Sequence, residues 1–236
     1  MNRRPKPVIG IPAKQKNYIE AELAHFDTLV DEHRLMVSKH GGIAIMLTQS
    51  ERKLDFCKSD LGDDTVLTEE EKNDLYQQVD LCDGIILQGG DYSCEYEVEI
   101  ARYALKKDLP ILGTCAGFNN ILRALGSNIF EDKSGKHSSR SLTYTHPIKI
   151  EKDTLLYRLI GKEDYEVNSL HTMIADDERV RPYAKISSHS PDGLVESFEL
   201  PEKRFVLALK WHPELMINDE GSDRIFDSFI SACTEK

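Results

Sequence analysis

Residues 111–126, ILGTCAGFNNILRALG, constrain the fold more than any other stretch of the chain. A short apolar run passes through Gly113 and Gly117 into a segment with apolar residues at helical spacing. The stretch therefore reads as strand, sharp turn and helix. Just upstream, EYEVEIARYALKKDLP has apolar or small residues at helical spacing and a stop at Pro110. Before that, GIILQGG at residues 84–90 reads as a buried strand that ends in two glycines. Such a β-α-β-α order implies parallel neighbours in one sheet.

The rest of the N-terminal half fits the same scheme. PVIGI reads as the first strand, the stretch from about Asp27 to Lys39 as a helix ending at Gly41-Gly42, and IAIML as the second strand. Thr68-Glu69-Glu70-Glu71 has the form of a capping box, opening a helix that turns Leu75 and Val79 inward. Beyond residue 130 the pattern loosens: KHSSRSLTYTH is polar, while HPIKI, LVESFEL and FVLALKWH read as strands of mixed character. With no internal repeat and no linker, residues 1–236 read as a single three-layer α/β domain.

A formal net charge of -11 argues against a nucleic-acid partner, because neutralising phosphates takes clustered Lys and Arg. The N-terminal MNRRPKPVIGIPAKQKN is positively charged, but its apolar part is only VIGI before Pro12, too short for an export segment. No window reaches the roughly 20 apolar residues of a membrane span, so no membrane association and a cytoplasmic location are expected. The five cysteines, at positions 57, 82, 94, 115 and 233, are odd in number and lack a C-x-x-C spacing. That disfavours both a disulfide framework and a zinc ribbon.

Cys115 sits in G-T-C-A-G between the strand and the helix. This is the cysteine form of a nucleophile elbow, in which the tight turn lifts the side chain clear of the sheet. The helix N-terminus adds partial positive charge and favours thiolate. Taken alone, the pentapeptide is equally a buried small cysteine at an ordinary turn. A base is offered by LALKWHPEL, where His212 follows an apolar strand, is fixed by Pro213 and has Glu214 two residues on. If that stretch is extended, residues i and i+2 point to one side, so Glu214 reaches one imidazole nitrogen while the other faces the thiol. Acyl transfer to sulfur also needs donors for an oxyanion. Gly89-Gly90, at the C-terminal end of a neighbouring strand, and the Ala116 amide, just after the nucleophile, can provide them.

Together, ILQGGD, ILGTCAGFNNILRALG, VNSLH, SPDGLVES and FVLALKWHPE resemble, in order, the class I glutamine amidotransferase-like family, and most closely its γ-glutamyl-γ-aminobutyrate hydrolase branch. The resemblance runs from KPVIGIP onward. It implies a flavodoxin-like, mostly parallel sheet flanked by helices, and a Cys-His-Glu triad that hydrolyses a γ-glutamyl amide without metal or organic cofactor. On this chain the triad is Cys115, His212 and Glu214, with Gly90 and Ala116 as the oxyanion hole. Gly89, Asn119, Asn168 and His171 fall at positions the resemblance places around the substrate.

The chain departs from the branch in three places. Ala116 stands where arginine is usual, Asn119 where glutamine is usual, and the loop after Gly-Gly is short, passing from Asp91 straight into YSCEYE. The backbone donor survives at Ala116, and an amide survives at Asn119, one methylene shorter. His171 reads either as an orienting group or as a histidine packed under a loop. His137, His146 and His189 show no ligand spacing, so no metal is expected. Cys94, Cys57, Cys82 and Cys233 read as structural, and the charge-rich DDERVRPYAKI and DDTVLTEEE as a solvated face and a helix start. The expected partner is a small γ-glutamyl substrate, with a homodimer as one assembly open to the chain. Two other functions are compatible with these residues: an ammonia-donating glutaminase serving a separate synthetase, and a noncatalytic binding protein on the same scaffold.

Overall fold

The computed structural model describes residues 5–17, 25–50, 66–90, 94–138 and 145–235. Cys57, the loop of residues 91–93 and residues 139–144 of the polar stretch lie outside the described residues. The strands are β1 (Val8–Pro12), β2 (Lys14–Asn17), β3 (His25–Thr28), β4 (Ile43–Leu47), β5 (Gly84–Leu87), β6 (Ile111–Thr114), β7 (Phe130–Glu131), β8 (Thr145–Ile150), β9 (Asp164–Asn168), β10 (Met173–Ile174), β11 (Lys185–His189), β12 (Val195–Glu199) and β13 (Val206–Leu209). The helices are α1 (Asp31–Lys39), α2 (Glu69–Asp80), α3 (Glu95–Lys106), α4 (Ala116–Ala124), α5 (Leu155–Ile160), α6 (Asp177–Val180) and α7 (Glu220–Thr234).

The central sheet runs β4-β1-β5-β6-β13-β12-β11-β8-β9. From β4 through β1 and β5 to β6 every pairing is parallel, as the alternating pattern of the N-terminal half implies, and β13 from the C-terminal half adds to β6 in parallel as well. From β13 outward the strands are antiparallel; β8 and β12 are segments of mixed character read from the sequence, while β9 and β11 are not among the strands read there. Side chains on a strand alternate between faces, and here each face has its own core. Ile85, Leu87, Ile111, Val206 and Ala208 join Leu75 of α2, Ala104 of α3 and Phe118 of α4. Ile86, Leu112, Leu207 and Leu209 join Val37 of α1, Leu156 of α5 and Phe229 of α7. Each fully buried Leu, Ile or Phe contributes about 1.5–3 kcal/mol. This two-sided burial is what makes the expected three-layer, flavodoxin-like arrangement stable.

The capping box of α2 forms as its sequence implies: the Thr68 hydroxyl accepts from the Glu71 amide and the Glu71 carboxylate accepts from the Thr68 amide. α1, in contrast, starts four residues later than its periodicity implies. Asp27 and Thr28 belong to β3, which pairs with β2 as an antiparallel ribbon. Gln88, just past β5, donates to the Pro12 carbonyl and accepts from the Val30 amide. That distant amide holds residue 30 extended, so the helix can begin only at Asp31. Among the described residues no helix is long and apolar enough to cross a membrane.

Candidate active site

Strands β5, β6 and β13 are neighbours in the sheet and end at the same edge. Each delivers part of the site. Cys115 follows β6 directly, and its amide donates to the Leu209 carbonyl of β13 at 2.9 Å, which anchors the turn to the adjacent strand. Its backbone lies at φ 51° and ψ -103°, a region costly for a residue with a side chain. Gly113 and Gly117 make this conformation attainable. A Cβ on Gly117 would collide with the Leu87 carbonyl oxygen, and one on Gly113 would meet the Gly117 carbonyl carbon at 2.9 Å. The helix therefore begins pressed against β5 and β6, and Cys115 is lifted out at its N-cap.

His212 lies three residues beyond the end of β13. Its Nδ1 is 2.6 Å from Glu214 Oε1, which leaves Nε2 for the Cys115 thiol hydrogen bond. Extended geometry, expected to bring Glu214 alongside, is not how this happens. Pro213–Leu215 form a single 3₁₀ turn that folds the carboxylate back under the imidazole. The His212 main chain is also clamped: Asn168 Nδ2 donates to its carbonyl at 2.8 Å, and its amide donates to Asn168 Oδ1 at 2.9 Å. Asn168, expected at the substrate, thus has both ends of its amide on the His212 backbone.

Behind Glu214 stands His33 of α1, fully buried, with Nε2 3.5 Å from Glu214 Oε2 and 3.1 Å from the Thr114 hydroxyl. Sequence reasoning missed this residue. Its only signal is a histidine one helical turn from Val37, on the face α1 buries.

The electrostatics favour a charged Cys-His pair. Burial opposes ionisation of Cys115, but His212 and Lys210 outweigh it and hold the thiol below the ordinary range. Burial likewise opposes the imidazolium of His212, yet Glu214 and Cys115 raise it well above an ordinary histidine. Glu214 is pushed up by burial and brought below the usual carboxylate range by His33 and His212. The arrangement is a thiolate and an imidazolium with a carboxylate behind them.

Gly89 packs against this pair: a Cβ there would land on the His212 ring and lie 3.3 Å from Cys115 Cβ. Gly90 lies under the Lys14 side chain, whose Nζ pairs with buried Glu97 at 2.5 Å. The Ala116 amide is the first of α4 and has no intrahelical acceptor. Asn119 is buried, and its Oδ1 accepts from Lys210 Nζ, which also lies over the Phe118 ring at 4.7 Å. Lys210 is fully buried, and burial lowers it to about 8. His171 is not at the thiol; it joins His137 and His146 around Glu196. Lys14, Lys210 and Glu196 carry no motif in sequence, because their partners are all distant in the chain.

Reactivity follows from these environments. Burial pushes the Cys82 thiol up to about 12 and raises Cys233 as well, while Cys94 is buried at the N-cap of α3. At neutral pH a mild electrophile should modify Cys115 first among the five cysteines. Peptide mapping that found Cys94 or Cys233 labelled while Cys115 stayed intact would contradict the assignment.

Known proteins share sequence and fold with this chain. Protein NtpR of Enterococcus hirae is 33% identical over 146 residues, covering 57% of this chain and 60% of that protein. The γ-glutamyl-γ-aminobutyrate hydrolase PuuD of Escherichia coli is 30% identical over 148 residues, covering 57% of this chain and 58% of that protein. The chain thus matches less than two thirds of the length of these curated relatives. Among solved structures, the glutaminase domain of Trypanosoma brucei CTPS with bound acivicin superposes with a TM-score of 0.66 at 18% identity, covering 98% of this chain and 94% of that one. A glutamine amidotransferase from Thermotoga maritima superposes with a TM-score of 0.57 at 16% identity, covering 89% of this chain and 77% of that one. Both share the fold. The Peptidase C26 family matches residues 65–214, a span that holds the Gly89-Gly90 edge, the Cys115 elbow and the His212–Glu214 turn, and the chain belongs to that family.

Proposed function

We propose that the protein is a cysteine-dependent hydrolase of γ-glutamyl amides acting through a γ-glutamyl thioester. The observation that carries this reading is the Cys115–His212–Glu214 relay at a strained strand–helix elbow. The Cys115 thiolate attacks the γ-carbonyl, and the Gly90 and Ala116 amides meet the resulting oxyanion. His212 gives its Nε2 proton to the leaving amine as the C–N bond breaks. It then takes a proton from water, which cleaves the thioester to glutamate and regenerates the thiolate. Glu214 holds the tautomer and stabilises the imidazolium, with His33 behind it.

Two features bear on the substrate. Ala116 leaves room beside the nucleophile and withholds the usual cation. Lys210, arriving from β13 and hydrogen-bonded to Asn119, supplies a positive charge that acts on Cys115 and suits the carboxylate end of a glutamyl group. A γ-glutamyl donor is therefore expected to be retained, with an altered preference for the leaving amine and weak activity on free glutamine. Steady-state kinetics on γ-glutamyl-γ-aminobutyrate, other γ-glutamyl amines, γ-glutamyl peptides and glutamine test this directly. Lys210→Met should raise KM for the preferred donor by roughly 10- to 100-fold, the loss of one charge-assisted hydrogen bond. Efficient turnover of glutamine alone would favour ammonia donation. No turnover of any donor, with Cys115 reactive, would overturn the reading.

The pH dependence follows from the signs of the shifts. A lowered Cys115 and a raised His212 place the active ion pair between two macroscopic pKa values that belong to the pair. Activity falls on the acid side as the thiolate takes up a proton, and on the alkaline side as the imidazolium loses one. Glu214→Gln removes the carboxylate that raises His212, so the alkaline limb of kcat/KM should move to lower pH. An alkaline limb unchanged in that variant would contradict the assigned role.

A further inference from the structure

Three histidines spread across the sequence converge on one buried carboxylate. His137 Nδ1 lies 3.5 Å from Glu196 Oε1, His171 Nε2 3.7 Å and His146 Nε2 3.8 Å from the same oxygen. His137, His171 and Glu196 are each buried. These separations exceed a hydrogen bond. Both Glu196 oxygens, His137 Nδ1 and His146 Nε2 have no hydrogen-bond partner among the described residues.

The protons of the three rings are already committed elsewhere. His137 faces Asp192 through Nε2 at 3.1 Å, His146 faces the Pro147 carbonyl through Nδ1 at 3.0 Å, and His171 faces the Met173 carbonyl through Nδ1 at 3.2 Å. Each of those acceptors needs a donor, so each neutral ring carries its proton on the outer nitrogen and turns a lone pair toward Glu196. Ser169 approaches His171 Nε2 at 3.4 Å, but its one hydroxyl proton goes to the His137 carbonyl at 2.9 Å. Lys210, whose charge acts on Glu196, donates to Asn119 and makes no ion pair with Glu196 among the described residues. With Glu196 ionised the result is a set of lone pairs facing one another, which a buried site relieves either with a proton, as burial raising the Glu196 carboxyl to about 8 favours, or with a cation.

The spacing suits a cation. Ligand atoms of His137, His171 and Glu196 all lie within 4.8 Å of one another. In a tetrahedral zinc site with bonds of about 2.0–2.1 Å, ligand atoms stand about 3.3 Å apart, and the observed 3.5 and 3.7 Å contract to that on modest adjustment. The outer hydrogen bonds, a carboxylate on His137 and a carbonyl on His171, are those that orient metal-bound imidazoles. Nitrogen donors favour zinc-type ions over magnesium or calcium.

We propose that His137 Nδ1, His171 Nε2 and the Glu196 carboxylate form a binding site for one divalent transition-metal ion of the zinc type, with its fourth position open to water or a small anionic ligand. The sequence conceals it because the ligands sit in separate segments: a loop, the turn after β9, and β12.

The test uses the full chain carrying Cys115→Ala, so that the thiolate cannot bind metal. After chelation and dialysis, Zn²⁺ is titrated by calorimetry and Co²⁺ by visible absorption. The expected result is one ion per chain and the d–d bands of tetrahedral Co²⁺, with no sulfur charge-transfer band. Glu196→Gln and His137→Gln should each weaken binding about 100-fold, and Asp192→Asn, which removes only the outer partner, about 10-fold. His189→Gln, at a surface histidine paired with Asp177, should leave it unchanged. Circular dichroism identifies any variant that fails to fold; the Asp192→Asn result then decides. Absence of stoichiometric metal on the folded chain would overturn the proposal in favour of a proton shared by Glu196 and a histidine. Equal affinity in folded Glu196→Gln, His137→Gln and Asp192→Asn chains would overturn it in favour of adventitious surface binding.

Discussion

Replacing Cys115 with alanine is expected to abolish hydrolysis, a loss of roughly 10⁴-fold or more, because among the described residues no other nucleophile stands beside His212 to form the acyl intermediate. His212→Ala should come close to the same loss, since the thiolate would lose its counter-ion and the leaving amine its acid. Glu214→Gln should cost less, because its work is orientation and charge stabilisation across a 2.6 Å contact rather than proton transfer to substrate. Members of one catalytic unit do not contribute additively. The Cys115→Ala, His212→Ala double variant should therefore be no slower than Cys115→Ala, as measured by single-turnover release of amine. A double variant much slower than the single would break the relay assignment.

Gly117→Ala is expected to damage the fold as well as the site. Its methyl group would strike the Leu87 carbonyl oxygen and approach the Leu87 carbonyl carbon at 2.8 Å, backbone atoms of β5 that cannot rotate away. Relief requires α4 to withdraw from the sheet, taking Phe118 and Ile121 partly out of the core they share with Leu87. Overpacking of this kind costs about 3 kcal/mol, which corresponds to a fall in Tm of roughly 6–12 °C for a chain of this size. Gly193→Ala is the comparison. Its φ of +84° also favours glycine, but a Cβ there meets nothing within 4 Å, so only the backbone cost of about 1–2 kcal/mol applies. If urea unfolding showed Gly117→Ala no less stable than Gly193→Ala, close approach would not be what shapes the elbow. Activity in Gly117→Ala should fall further than stability explains, because the withdrawal moves Cys115 relative to His212.

These outcomes divide along the line between what is local and what is not. Strand–turn–helix at Cys115, the capping box at Thr68 and the pairing of His212 with Glu214 across Pro213 were all legible in the sequence. Each is decided by residues within a few positions of one another, where glycine freedom, helix capping and a proline-fixed turn act directly on the chain. Even there the tertiary structure changed the reason: Glu214 reaches His212 through a 3₁₀ turn rather than an extended strand. Parallel pairing among the N-terminal strands was implied by alternation of strands and helices, but the parallel place of β13 beside β6 and the antiparallel return through β12, β11, β8 and β9 were not, because short strands of mixed character do not name their partners. Only the folded chain could place His33 behind Glu214, hold α1 back to Asp31 through Gln88, join Lys210 to Asn119, and turn three histidines and Glu196 into one cluster. Those arrangements depend on side chains that meet across dozens of residues, and a pairing made by burial and hydrogen bonding at that separation leaves no periodic or local trace in the sequence.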